Sequence, residues 1–159
     1  DLSPGTELST DDLRLETHMA SNIPDGARAD VDSVVGATLA GPARRGEVIT
    51  DVRVLGPRLT ESAAGPDARI VALPLADAAL VDLVRTGDIV DIVAAPASAD
   101  AEEGARLIAT DAVVVLVSAK DSRTMAGGGS RVVLVALPAA AAKTVAGAAL
   151  VQTITVTLH

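Results

Sequence analysis

The sequence contains no phenylalanine, tyrosine or tryptophan among its 159 residues, although 49% of them are hydrophobic. A folded core must therefore be built from Val, Leu, Ile and Ala, whose burial stabilises by roughly 25 cal/mol per Å2, as for any apolar side chain. Aromatic rings are the surfaces on which nucleobases stack and against which quaternary amines bind. Their absence argues against both kinds of ligand.

Cysteine is also absent, and His18 and His159 are the only histidines. Disulfides and thiolate metal sites are thereby excluded. Neither histidine lies in a pattern that supplies the three or four ligands of a zinc site, so we expect both to be surface residues without a chemical role. Because no nucleophile–base pair, metal cluster or cofactor loop is recognisable, the sequence predicts no catalytic residue, no cofactor and no enzyme.

Positive charge is scarce, since 13 Lys and Arg face 21 Asp and Glu for a net charge of −8. Nucleic-acid binding depends on Lys and Arg that neutralise phosphates, so we expect no nucleic-acid partner. Long apolar stretches are missing too: no uninterrupted run approaches the ~20 residues that a membrane-spanning helix needs.

Residues 1–56 consist of short apolar stretches divided by turn sequences, such as "SPGT" and "IPDG". Asp30 and Gly36 bracket a predicted single helical turn, with Asp30 as its cap and Gly36 in the left-handed conformation at its end. The two ends of this segment share a pattern: "GTELS" begins at Gly5 and "GEVIT" at Gly46. Each is followed by Asp-Φ-Arg-Φ, an alternation that predicts a strand.

Residues 57–68 are rich in Pro, Gly, Ser and Ala and predict a linker. Residues 69–159 then contain an internal repeat, because "VALPLADAALVDLVRTGDIVDIV" from Val71 matches "VALPAAAAKTVAGAALVQTITVTL" from Val135, 64 positions later. Each copy predicts a strand, a helix that begins at proline and a second strand.

The strands "RLIAT" and "AVVVLVS" between the copies complete a predicted pseudo-duplicated βαβ–ββ–βαβ module, so the fold class is mainly β with α+β elements. The loop Gly127–Ser130 indicates a flexible hairpin tip, since a phosphate-binding loop requires a different spacing and a lysine.

Arg44 and Arg45 precede the Gly46 turn and are candidates for binding a carboxylate, a sugar acid or a partner protein. A solvated or structural role is the alternative, because Glu47 and Asp51 are near enough in sequence to pair with them. Gly87 predicts a further turn. Asp88, just after it, is a second candidate for ligand contact, although aspartate is also common in such turns. Asp88 and Asp91 lie three positions apart, which on a strand points them to opposite faces and argues against a shared metal.

Together these elements resemble two known families in order. "PGTELSTDDLRL … VVGATLAGPARRGEVIT" is similar to the SAF domain, through Gly5-x-x-Leu8-Ser9 and Arg45-Gly46-Glu47-x-Ile49-Thr50. The repeat that follows resembles the RcpC/CpaB domain of Flp (Tad) pilus assembly proteins, most clearly at Gly87-Asp88-x-Val90-Asp91.

The resemblance implies a β-clip fold for the SAF module at residues 1–56, a linker at 57–68 and an RcpC/CpaB-like module at 69–159. It implies a non-enzymatic, extracytoplasmic component of a pilus assembly or secretion apparatus, anchored to the cytoplasmic membrane by an N-terminal helix that the printed sequence does not include. The expected partners are other assembly proteins or further copies of the chain. The alternative is an accessory module that binds an acidic sugar or a cell-wall glycan.

Overall fold

The computed structural model describes residues 1–96, 104–118 and 131–159. Within these ranges the regular elements are α1 (Pro57–Ala64), β1 (Ala68–Pro74), α2 (Ala78–Leu83), β2 (Ile89–Ala94), β3 (Arg106–Val117), β4 (Val132–Pro138), α3 (Ala139–Val151) and β5 (Ile154–Leu158). The chain is thus mainly β with a few helices. The Gly127–Ser130 loop lies outside the described residues. No helix in the described ranges is long and apolar enough to cross a bilayer.

The five strands form one antiparallel sheet in the order β1-β4-β3-β2-β5. The strands that the sequence repeat relates pair with each other: Val71 lies opposite Val135, and Ile92 lies opposite Val156. Both pairs keep the 64-residue spacing of the repeat, so each marks a local twofold relation between the copies. The two copies therefore interlock within one sheet. A parallel bridge from Leu75 to Ile154 also joins the end of β1 to β5.

The described residues between the two copies include one long strand. The sequence predicts two strands, "RLIAT" and "AVVVLVS", whereas β3 is continuous over 12 residues. Asp111 lies at the junction with a φ of 55°, a left-handed conformation that aspartate tolerates better than most residues. Its backbone N–H donates to the Asp91 carboxylate at 3.2 Å. The strand therefore continues across a local irregularity where the sequence predicts a break. Among the described residues of the second module from β1 onward, the order of elements is βαβ–β–βαβ.

The larger core lies between the sheet and the helices that follow each first strand. Its most buried members are aliphatic, among them Leu73, Ile92, Leu137 and Ile154. Ala142 and Val145 contribute the buried face of α3. The aliphatic composition therefore accounts for this core. Its tight packing depends on large side chains of the strands fitting against small side chains of the helices.

The two predicted helices begin differently. Pro138 caps α3 with a φ of −53° and is also the last residue of β4, as expected for a proline at a helix start. Pro74 instead ends β1, and α2 begins only at Ala78, where the Asp77 side chain accepts a hydrogen bond from the Ala79 N–H at 2.8 Å. The side-chain cap, rather than the proline, sets the start of α2.

The predicted linker is largely helical, which corrects the expectation for residues 57–68. Pro57 occupies the first turn of α1, where a missing N–H costs no hydrogen bond. Thr60 is buried, and its hydroxyl donates to the Gly56 carbonyl at 2.9 Å. Because α1 packs against β1, β3 and β4, the segment belongs to the packed structure of the second module.

Residues 1–56 form a module of turns and isolated bridges around a small core of Leu8, Val34, Leu39, Ala43 and Val54. Its bridges are antiparallel and include Leu2 with Ala43 and Leu39 with Val54. The predicted Asp-Φ-Arg-Φ strands are wrong: residues 13–16 have no regular structure, and residues 51–53 form turns and a bend. Backbone pairing comes instead from residues far apart in sequence, which local alternation does not encode.

Candidate functional site

A groove of about 580 Å3 lies on the surface of the first module. Three stretches of chain line it, from Asp11 to His18, from Arg28 to Val34 and from Ala43 to Ile49, together with Asp1, Leu2 and Leu8. The predicted Arg44–Arg45–Gly46 sequence therefore forms part of its wall. The groove is assembled from segments that are separated in sequence and that meet through the small core beneath them.

A tight turn positions the two arginines at the groove. Gly46 has a φ of +85°, and the Glu47 N–H donates to the Arg44 carbonyl at 3.1 Å. The Glu47 carboxylate also accepts a hydrogen bond from the Arg44 N–H, at 3.0 Å. A glycine is favoured at the third position because other residues are strained at positive φ.

The two arginines have different environments. Arg44 is 84% exposed and donates through its guanidinium to the Asp1 carboxylate at 2.7 Å. The backbone N–H of Arg45 donates to the same carboxylate at 3.2 Å. Within the described part of the chain, no ion pair involves the guanidinium of Arg45 or that of Arg28. Glu47 and Asp51, the expected partners, pair instead with Arg53 at 2.6 Å and with Arg58 at 3.7 Å.

Arg53 is a structural residue of this site that we did not identify from the sequence. Its guanidinium pairs with Glu47 and donates to the Pro42 carbonyl, so it joins both ends of the turn from Pro42 to Glu47. It is only 31% exposed. The sequence feature that points to Arg53 is the Asp-Φ-Arg-Φ pattern, in which this polar residue stands between the apolar residues Val52 and Val54.

The opposite wall carries mixed charge. His18 contacts the Glu16 carboxylate at 3.6 Å, and Arg14 pairs with the same residue. The Ser9 hydroxyl donates to Asp12 at 2.6 Å, and the Ser9 N–H donates to it at 3.0 Å. These two hydrogen bonds, the hydroxyl one first, hold the pKa of Asp12 below its ordinary value of 3.8.

Asp88 is not among the residues that line the groove. Its carboxylate accepts from the Arg85 N–H at 2.7 Å, and its own N–H donates to the Arg85 carbonyl at 3.1 Å. Gly87, with a φ of +96°, precedes it in the same turn. Asp88 therefore closes the turn into β2.

Asp91 has different partners from Asp88. Its carboxylate lies 3.0 Å from the imidazole Nε2 of His159 and also accepts from the Asp111 N–H. No group of three or more potential metal-binding side chains occurs among the described residues. The two aspartates thus contact separate groups.

Two further glycines of the sequence motifs, Gly5 and Gly36, also lie in turns of the first module. Gly5 has a φ of +81° within a turn in which the Thr6 N–H donates to the Ser3 carbonyl at 3.2 Å. Gly36 has a φ of +82° and ends the turn that begins at Asp30, whose carboxylate accepts from the Asp32 N–H at 3.1 Å.

A comparison with protein-family models identifies residues 1–55 as matching the SAF domain. The matched residues include the groove and the Arg44–Arg45–Gly46 turn of the first module. No curated protein and no solved structure matches the chain.

Proposed function

We propose that the chain is a non-enzymatic, extracytoplasmic binding component of a Flp (Tad)-type pilus assembly or secretion apparatus. The observation that carries this proposal is the SAF match at residues 1–55, followed by a duplicated module that resembles the RcpC/CpaB domain. A SAF domain favours an accessory role in binding a protein or a carbohydrate. The order of the two modules favours a protein, either another assembly component or a further copy of the chain.

The SAF groove supports a binding role. Its volume of about 580 Å3 falls within the usual range of roughly 300–1,000 Å3 for ligand sites. Arg53 and Glu47 fix the turn beside it, so the side chain of Arg45 is presented from a backbone that is already ordered. Preorganisation of this kind lowers the entropic cost of binding.

Deletion of the gene in the organism that encodes the chain tests the pilus proposal. We expect loss of surface pili, seen by electron microscopy, and of pilin from sheared cell fractions. A plasmid copy should restore both. Normal piliation in the deletion strain would refute the pilus role, whatever the groove binds.

An acidic sugar or an acidic cell-wall glycan is the second candidate ligand, because the guanidinium groups of Arg28 and Arg45 have no ion pair within the described residues. Calorimetric titration with N-acetylneuraminic acid and with glucuronic acid tests it. Arg45→Ala should abolish any saturable signal, since a charge-assisted hydrogen bond is lost.

Arg58→Ala is the matched control for this titration. Arg58 is also exposed and pairs with Glu61 at 3.0 Å, but it does not line the groove. We therefore expect it to bind as the parent chain does. A flat titration for the parent protein with both acids would remove the sugar-acid hypothesis.

A further inference from the structure

The outward edge of β1 presents backbone groups that the sheet does not use. The Ala68 N–H donates to the Gly65 carbonyl at 3.1 Å, and the Ala68 carbonyl accepts from the Arg69 guanidinium at 2.9 Å. Both groups thus point away from β4, where Ala68 lies opposite Pro138, a residue with no N–H to donate. Since orientation alternates along an antiparallel strand, the N–H and C=O of Ile70 and Ala72 also point outward.

A groove of about 410 Å3 lies between β1 and α3. Ile70, Ala72 and Pro74 line it from the strand, and Ala146, Ala149 and Leu150 line it from the helix. The small alanines leave space between the two elements. Leu150 is 86% exposed, the largest exposure among the large hydrophobic residues in the described ranges. The groove therefore combines apolar walls with an unused strand edge.

Two cations, Arg69 and Lys143, lie beyond one end of this groove, although neither is among the residues that line it. Pro138 lies opposite Ala68, so α3 begins beside the start of β1, and the bridge from Leu75 to Ile154 places the end of α3 towards the end of β1. Lys143 precedes Leu150 by two helical turns and shares its face. Arg69 is exposed at the same end. Neither cation forms an ion pair with any carboxylate in the described parts of the chain.

We propose that this groove binds an extended segment of a partner protein, which adds a strand to the free edge of β1. Main-chain hydrogen bonds to Ile70 and Ala72 would supply part of the affinity, and alternate apolar side chains would fill the space beside Leu150. An acidic residue at one end of the segment would pair with Lys143 and Arg69. Local charge favours such a segment, because neither Lys143 nor Arg69 is paired with a carboxylate in the described parts of the chain.

This site lies in the second module, away from the SAF groove, and goes beyond the proposed function. It can be tested on the purified chain without reference to pili or sugars, so its failure and the failure of the pilus proposal give different results. A partner strand also gives a reason for an exposed β1 edge beside apolar residues, because such an edge is otherwise prone to unwanted pairing.

The experiment is a selection of short random peptides displayed on phage, first against the parent chain and then against Leu150→Asp as a counter-selection. We expect enriched sequences to alternate apolar residues and to carry Asp or Glu at one end. Synthetic copies, followed by fluorescence anisotropy, should bind Leu150→Asp roughly tenfold or more weakly, because the apolar contact is lost. Leu150 is exposed, so the variant should fold.

Two matched tests distinguish strand addition from non-specific hydrophobic binding. N-methylation of the selected peptide at alternate amides should abolish binding in one register and spare it in the other, since only one set faces β1. Lys143→Glu should weaken binding of the acidic peptide and strengthen that of its lysine analogue.

Several outcomes would overturn the proposal. No enrichment over Leu150→Asp, or equal binding of both N-methylated peptides, would show that the edge is not used. If sedimentation shows a dimer of the parent chain that Leu150→Asp dissociates, the occupant is a second copy rather than a partner strand.

Discussion

Arg53 joins the two ends of the turn from Pro42 to Glu47. Its guanidinium holds Glu47 and the Pro42 carbonyl together, and Glu47 in turn fixes the Arg44 N–H. Arg44 is then drawn to Asp1, whereas the Arg45 side chain has no ion pair within the described residues. The turn therefore presents Arg45, but not Arg44, with a guanidinium that has no ion pair within the described residues.

The first prediction concerns Gly46, whose φ of +85° is left-handed. Alanine there should destabilise the chain by roughly 1–2 kcal/mol because of backbone strain. A new Cβ would meet no atom within 4 Å, so no steric clash is added. Urea denaturation measures the change. Gly104→Ala is the control, since its surroundings are equally open and its φ is outside that region; an equal loss in both variants would contradict the strain argument.

The second prediction concerns Asp12, whose pKa is lowered by the hydroxyl and N–H of Ser9. A pKa that is lower in the folded state means that the ionised carboxylate stabilises the fold at neutral pH. This contribution should be complete well above pH 3.8 and should be lost as the pH falls below that value through the folded-state pKa.

Asp12→Asn tests the sign of this effect. The variant should be less stable than the parent chain at pH 7, and the difference should shrink towards zero in strong acid. Thermal denaturation from pH 7 down to acid conditions measures it. A difference that is constant across this range, or one that grows in acid, would show that the ionised carboxylate is not the cause.

At the scale of elements, α3 is a helix whose stability a change in sequence can raise. It runs for 13 residues from a proline cap and buries Ala142 and Val145. Gly147 lies in its interior, and a Cβ there would meet no atom within 4 Å. No packing constraint from the described residues therefore requires glycine at this position, while its backbone freedom favours the unfolded chain.

Gly147→Ala should accordingly stabilise the chain by roughly 0.5–1 kcal/mol, the difference in helix propensity between glycine and alanine. The neighbouring exposed position offers the reverse change, because Ala146→Gly should destabilise by a similar amount. Urea midpoints of both variants provide the measurement. Destabilisation by Gly147→Ala would mean that the glycine is needed for a contact or a backbone geometry of its own.

At the scale of the molecule, the two modules have separate cores. The core around Leu8 and Leu39 shares no residue with the core around Leu73 and Ile92. The helix α1 packs on the sheet of the second module, and Arg58 reaches back to Asp51 at 3.7 Å. The structural boundary between the modules is therefore better placed before α1 than within residues 57–68.

Two fragments test this boundary. Residues 57–159 should fold independently, and residues 69–159, which lack α1, should have a lower Tm. Each 1 kcal/mol lost should lower Tm by roughly 4–8 °C for a domain of this size. Circular dichroism on both fragments provides the measurement. Equal melting temperatures would show that α1 does not stabilise the second module and is a linker, as the sequence composition indicates.

Features that depend on local chemistry can be predicted from the sequence alone. Aliphatic composition required a core without rings, and the 64-residue repeat indicated two equivalent strand–helix–strand units. Glycine after a charged or polar pair marked the turns at Gly46 and Gly87, where φ is positive. These properties follow from side-chain size and backbone freedom within a few residues, which is why they can be read along the chain.

How those pieces combine is visible only in the folded chain. It pairs Val71 with Val135 across the two copies, keeps β3 continuous through Asp111 and makes a helix of Pro57–Ala64 by packing it on the sheet. It also brings Arg53 to Glu47 and forms the grooves. Strand register and burial depend on contacts between distant residues, so local periodicity leaves them open, and the lowest free energy of the whole chain selects among them.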